Sequence, residues 1–227
     1  MLLLFDIDGT LMQGASGVHA TALCRALKNV HNVDVERRRR GWSAAGRTDG
    51  EIARLYLLDA GISAERIDAR AADVQEECCR LYAGLCPPDL SSTVVPGMPE
   101  VLAALGAEDG IQLSLVTGNF EQVARMKLKA GGLGRWFAHG QGGFGSDSED
   151  RTMLPPIARR RAGEVARMPT SWPRERTLVI GDTPRDIACA RADDLQCVAV
   201  TTGPHGREQL AEADFVVDTR SELLEAI

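Results

Sequence analysis

Met1-Leu2-Leu3-Leu4-Phe5-Asp6-Ile7-Asp8-Gly9-Thr10-Leu11 opens the chain. The apolar run does not alternate with polar residues, which suits a strand buried on both faces, as in a parallel sheet covered by helices. It stops at Asp6. On an extended chain, side chains two apart point the same way, so Asp6 and Asp8 face one cleft while Ile7 packs behind. Two carboxylates that close repel, which favours a bound cation or a shared proton. One of them can attack phosphorus and divide a hard displacement into two easier ones. Its neighbour can protonate the leaving alkoxide and later deprotonate the attacking water. Gly9 permits a sharp turn that clears space for a phosphate. The same residues also suit a strand that ends in an Asp-Gly turn, with Asp8 as turn former.

Four further apolar runs end in the same way: 113–116 before Thr117, 178–180 before Gly181-Asp182, 197–200 before Thr201-Thr202-Gly203, and 215–217 before Asp218. Helical patterns lie between or after them, at 99–105, 120–130, 157–167, 185–192 and 221–226. Alternating strands and helices predict an α/β protein with a doubly wound, Rossmann-like parallel sheet, whose ligands sit at the carboxyl ends of the strands. Between Gly14 and Pro88 the pattern changes. Residues 18–30, 49–60, 64–85 and part of 35–42 read as helices, with no strand among them. A helical block inserted after the first strand overhangs the end of that strand, where Asp6 lies. The expected division is a core of residues 1–13 and 89–227 and an all-helical cap of residues 14–88.

Two other stretches fall at predicted strand ends. Thr117-Gly118-Asn119 precedes a helix, where backbone N–H groups can bind an anion, Gly118 allows close approach and Thr117 adds a hydroxyl donor. Helix capping by Asn119 explains the same residues. Gly181-Asp182-Thr183-Pro184-Arg185-Asp186 offers Asp182 as a hard oxygen ligand for magnesium. Asp186 lies one helical turn further on. Here too capping is the plain alternative, with Asp182 as cap and Pro184 in the first turn. What favours the chemical reading is agreement: Asp6, Asp8, Thr117 and Asp182 fall at the same edge of one predicted sheet.

Composition narrows the rest. A net charge of −6 argues against a nucleic-acid binder. No segment approaches the ~18 to 20 apolar residues of a membrane span, and the opening apolar run is too short for a signal peptide. These features point to a cytoplasmic protein with no nucleic-acid or membrane partner. The six cysteines form no C-x-x-C pair and no zinc-ligand spacing, so buried free thiols are expected. The run of arginines at 37–40 reads as a solvated helix face, and residues 146–150 as a turn and cap.

The three motifs Asp6-Ile7-Asp8-Gly9-Thr10, Thr117-Gly118-Asn119 and Gly181-Asp182-Thr183-Pro184-Arg185-Asp186 resemble those of the haloacid dehalogenase-like superfamily. Their order and spacing are similar to members with a helical cap after the first strand. Gly46-Arg47-Thr48-Asp49 and the helix carrying Lys127-Leu128 resemble the phosphoglycolate phosphatase-like group. The resemblance implies Asp6 as nucleophile, Asp8 as acid and base, and magnesium held by Asp6, the Asp8 carbonyl and Asp182. It also implies Thr117 and a lysine on the phosphate beside Gly118 and Asn119, with Asp186 in support. The implied activity is hydrolysis of a small phosphomonoester through an aspartyl phosphate. A phosphomutase shares every core residue, whereas a dehalogenase or phosphonate-cleaving relative has no need of Asp8. A non-catalytic phosphate-binding module has no need of the full acid set.

The chain departs from the resemblance in one respect. Many relatives carry the lysine in a Lys-Pro pair before the last motif, but here that region reads Asp150-Arg151-Thr152-Met153-Leu154-Pro155-Pro156. The only lysines are Lys28, Lys127 and Lys129, against 23 arginines. Val123, Met126, Ala130 and Leu133 form an apolar stripe that Lys127 borders, while Lys129 shares the polar side with Gln122 and Arg125. Lys127 is therefore the expected phosphate-side cation. Lys129 and Arg151 remain candidates, since a guanidinium also binds phosphate well. In the cap, Arg47 can either reach a second anionic group of the substrate or lie solvated beside a helix cap.

Overall fold

The computed structural model of the protein describes residues 1–35 and 41–227. The arginine run at 37–40, and with it most of the helix expected within 35–42, lies outside the described residues.

The first strand, β1 (Leu2–Phe5), is wholly buried. Its side chains alternate between two cores. Leu3 and Phe5 enter a cluster with Val101, Leu102, Leu128 and Leu223, whereas Leu2 and Leu4 enter one with Leu154, Ala158, Ile187 and Ala190. Both faces being covered is the physical reason the run does not alternate.

The chain then forms three helices, α1 (Ser16–His31), α2 (Asp49–Asp59) and α3 (Ala64–Leu85). After them come α4 (Met98–Ala107), β2 (Gln112–Thr117), α5 (Glu121–Ala130), β3 (Gly143–Phe144) and α6 (Leu154–Val165). The chain closes with β4 (Thr177–Gly181), α7 (Pro184–Ala192), β5 (Gln196–Val200), β6 (Phe215–Val217) and α8 (Arg220–Glu225). The six strands form one parallel sheet in the order β3-β2-β1-β4-β5-β6. This is the expected doubly wound α/β fold. β3 has no counterpart among the predicted strands, because two residues, Gly143 and Phe144, carry no apolar run. Their strand character comes only from pairing with Val116 and Thr117.

Strand register fixes where the polar residues leave the sheet. Phe5 lies beside Leu115 on one side and Ile180 on the other, so Asp6, Thr117 and Gly181-Asp182 emerge at one edge.

The three inserted helices bury a cluster of their own, with Leu23, Leu27, Leu57, Val74, Cys78 and Tyr82. Phe120 and Val123, at the start of α5, join that cluster. The two connections to the sheet run side by side: Gln13 donates its N–H to the Thr93 carbonyl at 2.6 Å and Val95 to that of Leu11 at 3.0 Å. Among the described residues no helix is long and apolar enough to cross a membrane. Cys78, Cys79, Cys189 and Cys197 are buried.

The caps of α2, α5 and α7 fall on residues other than Asp49, Asn119 and Asp182. Thr48 rather than Asp49 caps α2, accepting from the Glu51 N–H. Phe120 rather than Asn119 occupies the cap position of α5. Thr183 rather than Asp182 caps α7, in a reciprocal box with Asp186. Asp49, Asn119 and Asp182 are thereby released from capping.

Leu4→Ala should cost about 2–5 kcal/mol, because the β1 side chain is fully enclosed and its cavity cannot collapse. Urea unfolding measures this.

Candidate active site

Asp6 and Asp182 are buried at the carboxyl edge of β1 and β4, and Asp186 is buried in the first turn of α7. One carboxylate oxygen from each of these three lies within 4.8 Å of the others. Burial pushes the Asp6 carboxyl up to about 7, with Arg151 opposing and Asp186 and Asp8 adding to the rise. Burial, then the charges of Asp6 and Asp186, push Asp182 up to about 8. Burial and mutual repulsion therefore both oppose ionisation of Asp6 and Asp182.

The donors fit a hard divalent cation. Asp182 accepts a hydrogen bond from Thr10 on Oδ1 at 3.1 Å, while its buried Oδ2 has no partner. Gly9, at φ +97°, and Gly203 both pack against that carboxylate, and a methyl group on either would collide with it. Asp186 has no oxygen to spare: Oδ1 accepts from Arg151, and Oδ2 accepts from the N–H and hydroxyl of Thr183 at 3.0 and 2.7 Å. The residues suited to hold magnesium are therefore Asp6 and Asp182, with Asp186 as their support.

Two cations divide the site. Arg151 comes from the turn before α6 and is buried; its Nη2 donates to Asp6 Oδ1 at 3.0 Å and also to Asp186. Lys127, on α5, has no exposed surface. Its ammonium donates to both Asp8 oxygens, at 2.9 and 2.6 Å, and to Asn119 Oδ1 at 2.8 Å. Asn119 completes the group by donating from Nδ2 to Asp8 at 2.9 Å. Burial alone would raise the Asp8 carboxyl, but Lys127, His19 and the Asn119 hydrogen bond outweigh it and hold it below the usual range.

The three candidate cations separate by position: Arg151 stands at Asp6 and Lys127 at Asp8, both buried. Lys129 is exposed on the far side of α5. Thr117 is buried, with its hydroxyl towards the Asn119 N–H at 3.4 Å, and Gly118 and Asn119 form the cleft wall beyond it.

The cleft above these groups has a volume of about 1020 Å³ and extends beneath α1 and α2. Arg47 lines it. Its guanidinium pairs with Glu51, and its Nε donates to the Ser43 carbonyl at 2.8 Å. His19, on α1, also lines the cleft, with Nε2 3.0 Å from Asp49. Neither His19 nor Gly203 stands out in the sequence. A lone histidine on a helix carries no local signal, and Gly203 is visible there only as a residue after a strand.

Comparison with known proteins agrees with this fold. The chain belongs to the haloacid dehalogenase-like hydrolase family, whose sequence profile matches residues 3–191. It is 29% identical over 231 residues to a protein named "Probable phosphatase IndB" from Dickeya dadantii (strain 3937), covering 99% of this chain and 92% of that one. It is 28% identical over 230 residues to the phosphoglycolate phosphatase of Synechococcus elongatus, covering 99% and 96%. Two solved structures share the fold at low identity. A predicted phosphatase from Clostridium acetobutylicum superposes with a TM-score of 0.66 at 18% identity, covering 99% of this chain and 96% of that one. A β-phosphoglucomutase from Clostridium difficile gives 0.65 at 16%, covering 98% and 92%.

The crowded carboxylates set a pH dependence. Asp182 is raised from 3.8 to about 8 in the folded protein, so the native state holds a proton that the unfolded chain has lost. Its contribution to stability is complete below about pH 4 and disappears as pH rises through about 8. In metal-free protein, the Tm of wild type relative to Asp182→Asn should therefore fall across that window. Added magnesium should restore it at the alkaline end. Calorimetric scans of both proteins with and without magnesium check the sign.

Proposed function

We propose that this protein is a magnesium-dependent phosphatase that hydrolyses a small phosphomonoester through a phosphoryl-Asp6 intermediate. The observation that carries the proposal is the placement of Asp6, Asp8 and Asp182 at one sheet edge, with a separate cation on each of the first two. The phosphatase names of the relatives in the same family support it. Residues 14–88 act in this reading as a cap domain, and Arg47 contacts the part of the substrate remote from phosphorus.

Asp6 and Asp182, with the backbone carbonyl of Asp8, would hold magnesium. When bound, the ion neutralises the phosphate oxygens and lets the carboxylates beside it stay ionised. An Asp6 oxygen attacks phosphorus and the ester P–O bond breaks. The electron pair leaves on the alkoxide oxygen, which takes a proton from Asp8. A water then gives one of its own protons to the Asp8 carboxylate as it attacks phosphorus, and Asp6 departs as a carboxylate. Asp8 starts ionised beside Lys127, so it takes up its first proton when the phosphate dianion enters and opposes its charge. Lys127 and Asn119 are positioning residues, fixing the Asp8 carboxylate. Arg151 orients Asp6 and faces the incoming phosphate, and Thr117, Gly118 and Asn119 shape the wall beside it.

Asp6→Asn is nearly isosteric and should remove turnover by several orders of magnitude with the fold intact. Phosphate release from a panel of metabolite phosphates, in magnesium and in EDTA, tests both parts. Retention of a tenth of wild-type activity by Asp6→Asn refutes the intermediate, and full activity in verified metal-free enzyme refutes the metal requirement.

Lys127→Ala leaves Asp8 and Asn119 without their shared donor and should lower kcat by roughly two orders of magnitude. Lys129→Ala, at the surface, should stay within about 0.5 kcal/mol of wild-type stability and near wild-type rate. Equal mild effects on rate would remove Lys127 from the mechanism.

A further inference from the structure

The cleft is far larger than a two-carbon acid phosphate needs. A water molecule's share of liquid volume is roughly 30 Å³, so a cavity of about 1020 Å³ has room for a ligand of many times that size. It stands at the upper end of the ~300–1000 Å³ range of small-molecule sites.

An undocked insertion does not account for this volume. Gly118 accepts from the Asp49 N–H at 2.8 Å, and Asp49 Oδ2 accepts from the Phe120 N–H at 2.7 Å. Thr48 donates its hydroxyl to the Glu149 carbonyl at 2.7 Å. Arg151 Nη1 donates to the Gly46 carbonyl at 3.1 Å. A methyl group on Gly118 would strike the Arg47 carbonyl, so the two backbones already touch. The same guanidinium that meets Asp6 thus also holds the 46–49 segment, and the cleft is large with that segment seated on the core.

The lining changes along its length. At the Asp6 end it is carboxylates, glycines and Asn119. Beneath the insertion it is Leu23, Ile52, Tyr56 and Trp42. Trp42 and Tyr56 meet edge to face, with ring centroids 5.0 Å apart and planes at 69°. Arg47 lies over the Trp42 ring at 5.7 Å. Its charge is already answered by Glu51, which Arg185 also approaches at 3.8 Å. Among the described residues this end therefore offers aromatic and aliphatic surface with a neutralised cation.

We propose that the substrate is a phosphomonoester whose organic part carries an uncharged aromatic ring, and that the ring is bound in the part of the cleft lined by Trp42, Tyr56, Ile52 and Leu23. This rests on the phosphatase reading above and narrows it. Flat rings suit such a wall because aromatic groups gain edge and face contacts beyond simple burial. Stacking tolerates many ring types, since each presents a π-face.

The test compares substrates that differ in the ring. Adenosine and uridine 5′-monophosphates are set against ribose 5-phosphate, which has the same ester and leaving oxygen, with phenyl phosphate and phosphoglycolate alongside. The expected result is that kcat/KM for at least one ring-bearing ester exceeds that of ribose 5-phosphate and phosphoglycolate by tenfold or more, mainly through KM. In Trp42→Ala the ratio of ring-bearing to ringless kcat/KM should fall by roughly tenfold. Preference for the nucleotides identifies a nucleoside, and preference for phenyl phosphate a single ring close to the ester. The proposal is overturned if phosphoglycolate or ribose 5-phosphate is used as well as every ring-bearing ester, or if the Trp42→Ala ratio does not change.

Calorimetric binding of the same panel to Asp6→Asn in magnesium separates this from the phosphatase reading. No phosphate release from any ester by wild type refutes hydrolysis. Tighter binding of the ring-bearing esters to Asp6→Asn would still uphold the ring site, and equal or weaker binding would overturn it.

Discussion

Asp6, Asp182 and Asp186 bring three carboxylates within reach of one another in a buried pocket, and most of the site's architecture answers that crowding. Like charges at this spacing cannot all ionise unless positive charge is brought to them. Arg151 supplies part of it to Asp6 and Asp186. Asp182 keeps one oxygen without a protein partner, which suits the cation of the proposed mechanism. The rigidity of β1 and β4, buried on both faces, keeps the groups from moving apart.

An arginine at this place does more than a lysine could. The planar guanidinium presents donors in fixed directions, and Arg151 uses them on Asp6, Asp186 and the Gly46 carbonyl together. Asp6 and the inserted segment are thereby joined through one side chain. Lys127 sits one carboxylate away, its three acceptor contacts matching the three protons of an ammonium. The two cations are therefore not interchangeable: one spans sheet and insertion, and the other fixes the orientation of Asp8.

The helical insertion meets the core through backbone and side-chain contacts together. Gly118 is small enough to let the 47–48 backbone touch its own, and Asp49 bonds across the same contact. Since capping of α2 falls to Thr48, Asp49 is free to accept from Phe120 and to face His19. The wall of the cleft away from Asp6 is then built from side chains of α1 and α2 and the 42–47 segment.

By itself the sequence determined the parallel sheet, the long apolar strands that build it and the edge at which Asp6, Asp8 and Asp182 lie. Each is encoded locally, in unbroken apolar runs, in the two-residue spacing of an extended chain and in glycines beside acids. Only the tertiary structure decided which cation serves which carboxylate, because Arg151, Lys127 and Lys129 look alike as charges in a polar stretch and differ in burial. It also decided that Gly143-Phe144 forms a strand, which depends on an edge offered by β2. The roles of Gly203, His19, Trp42 and Tyr56 were illegible for the same reason. Their neighbours in the cleft are distant in the chain, and contacts between distant segments leave no periodicity in a single sequence.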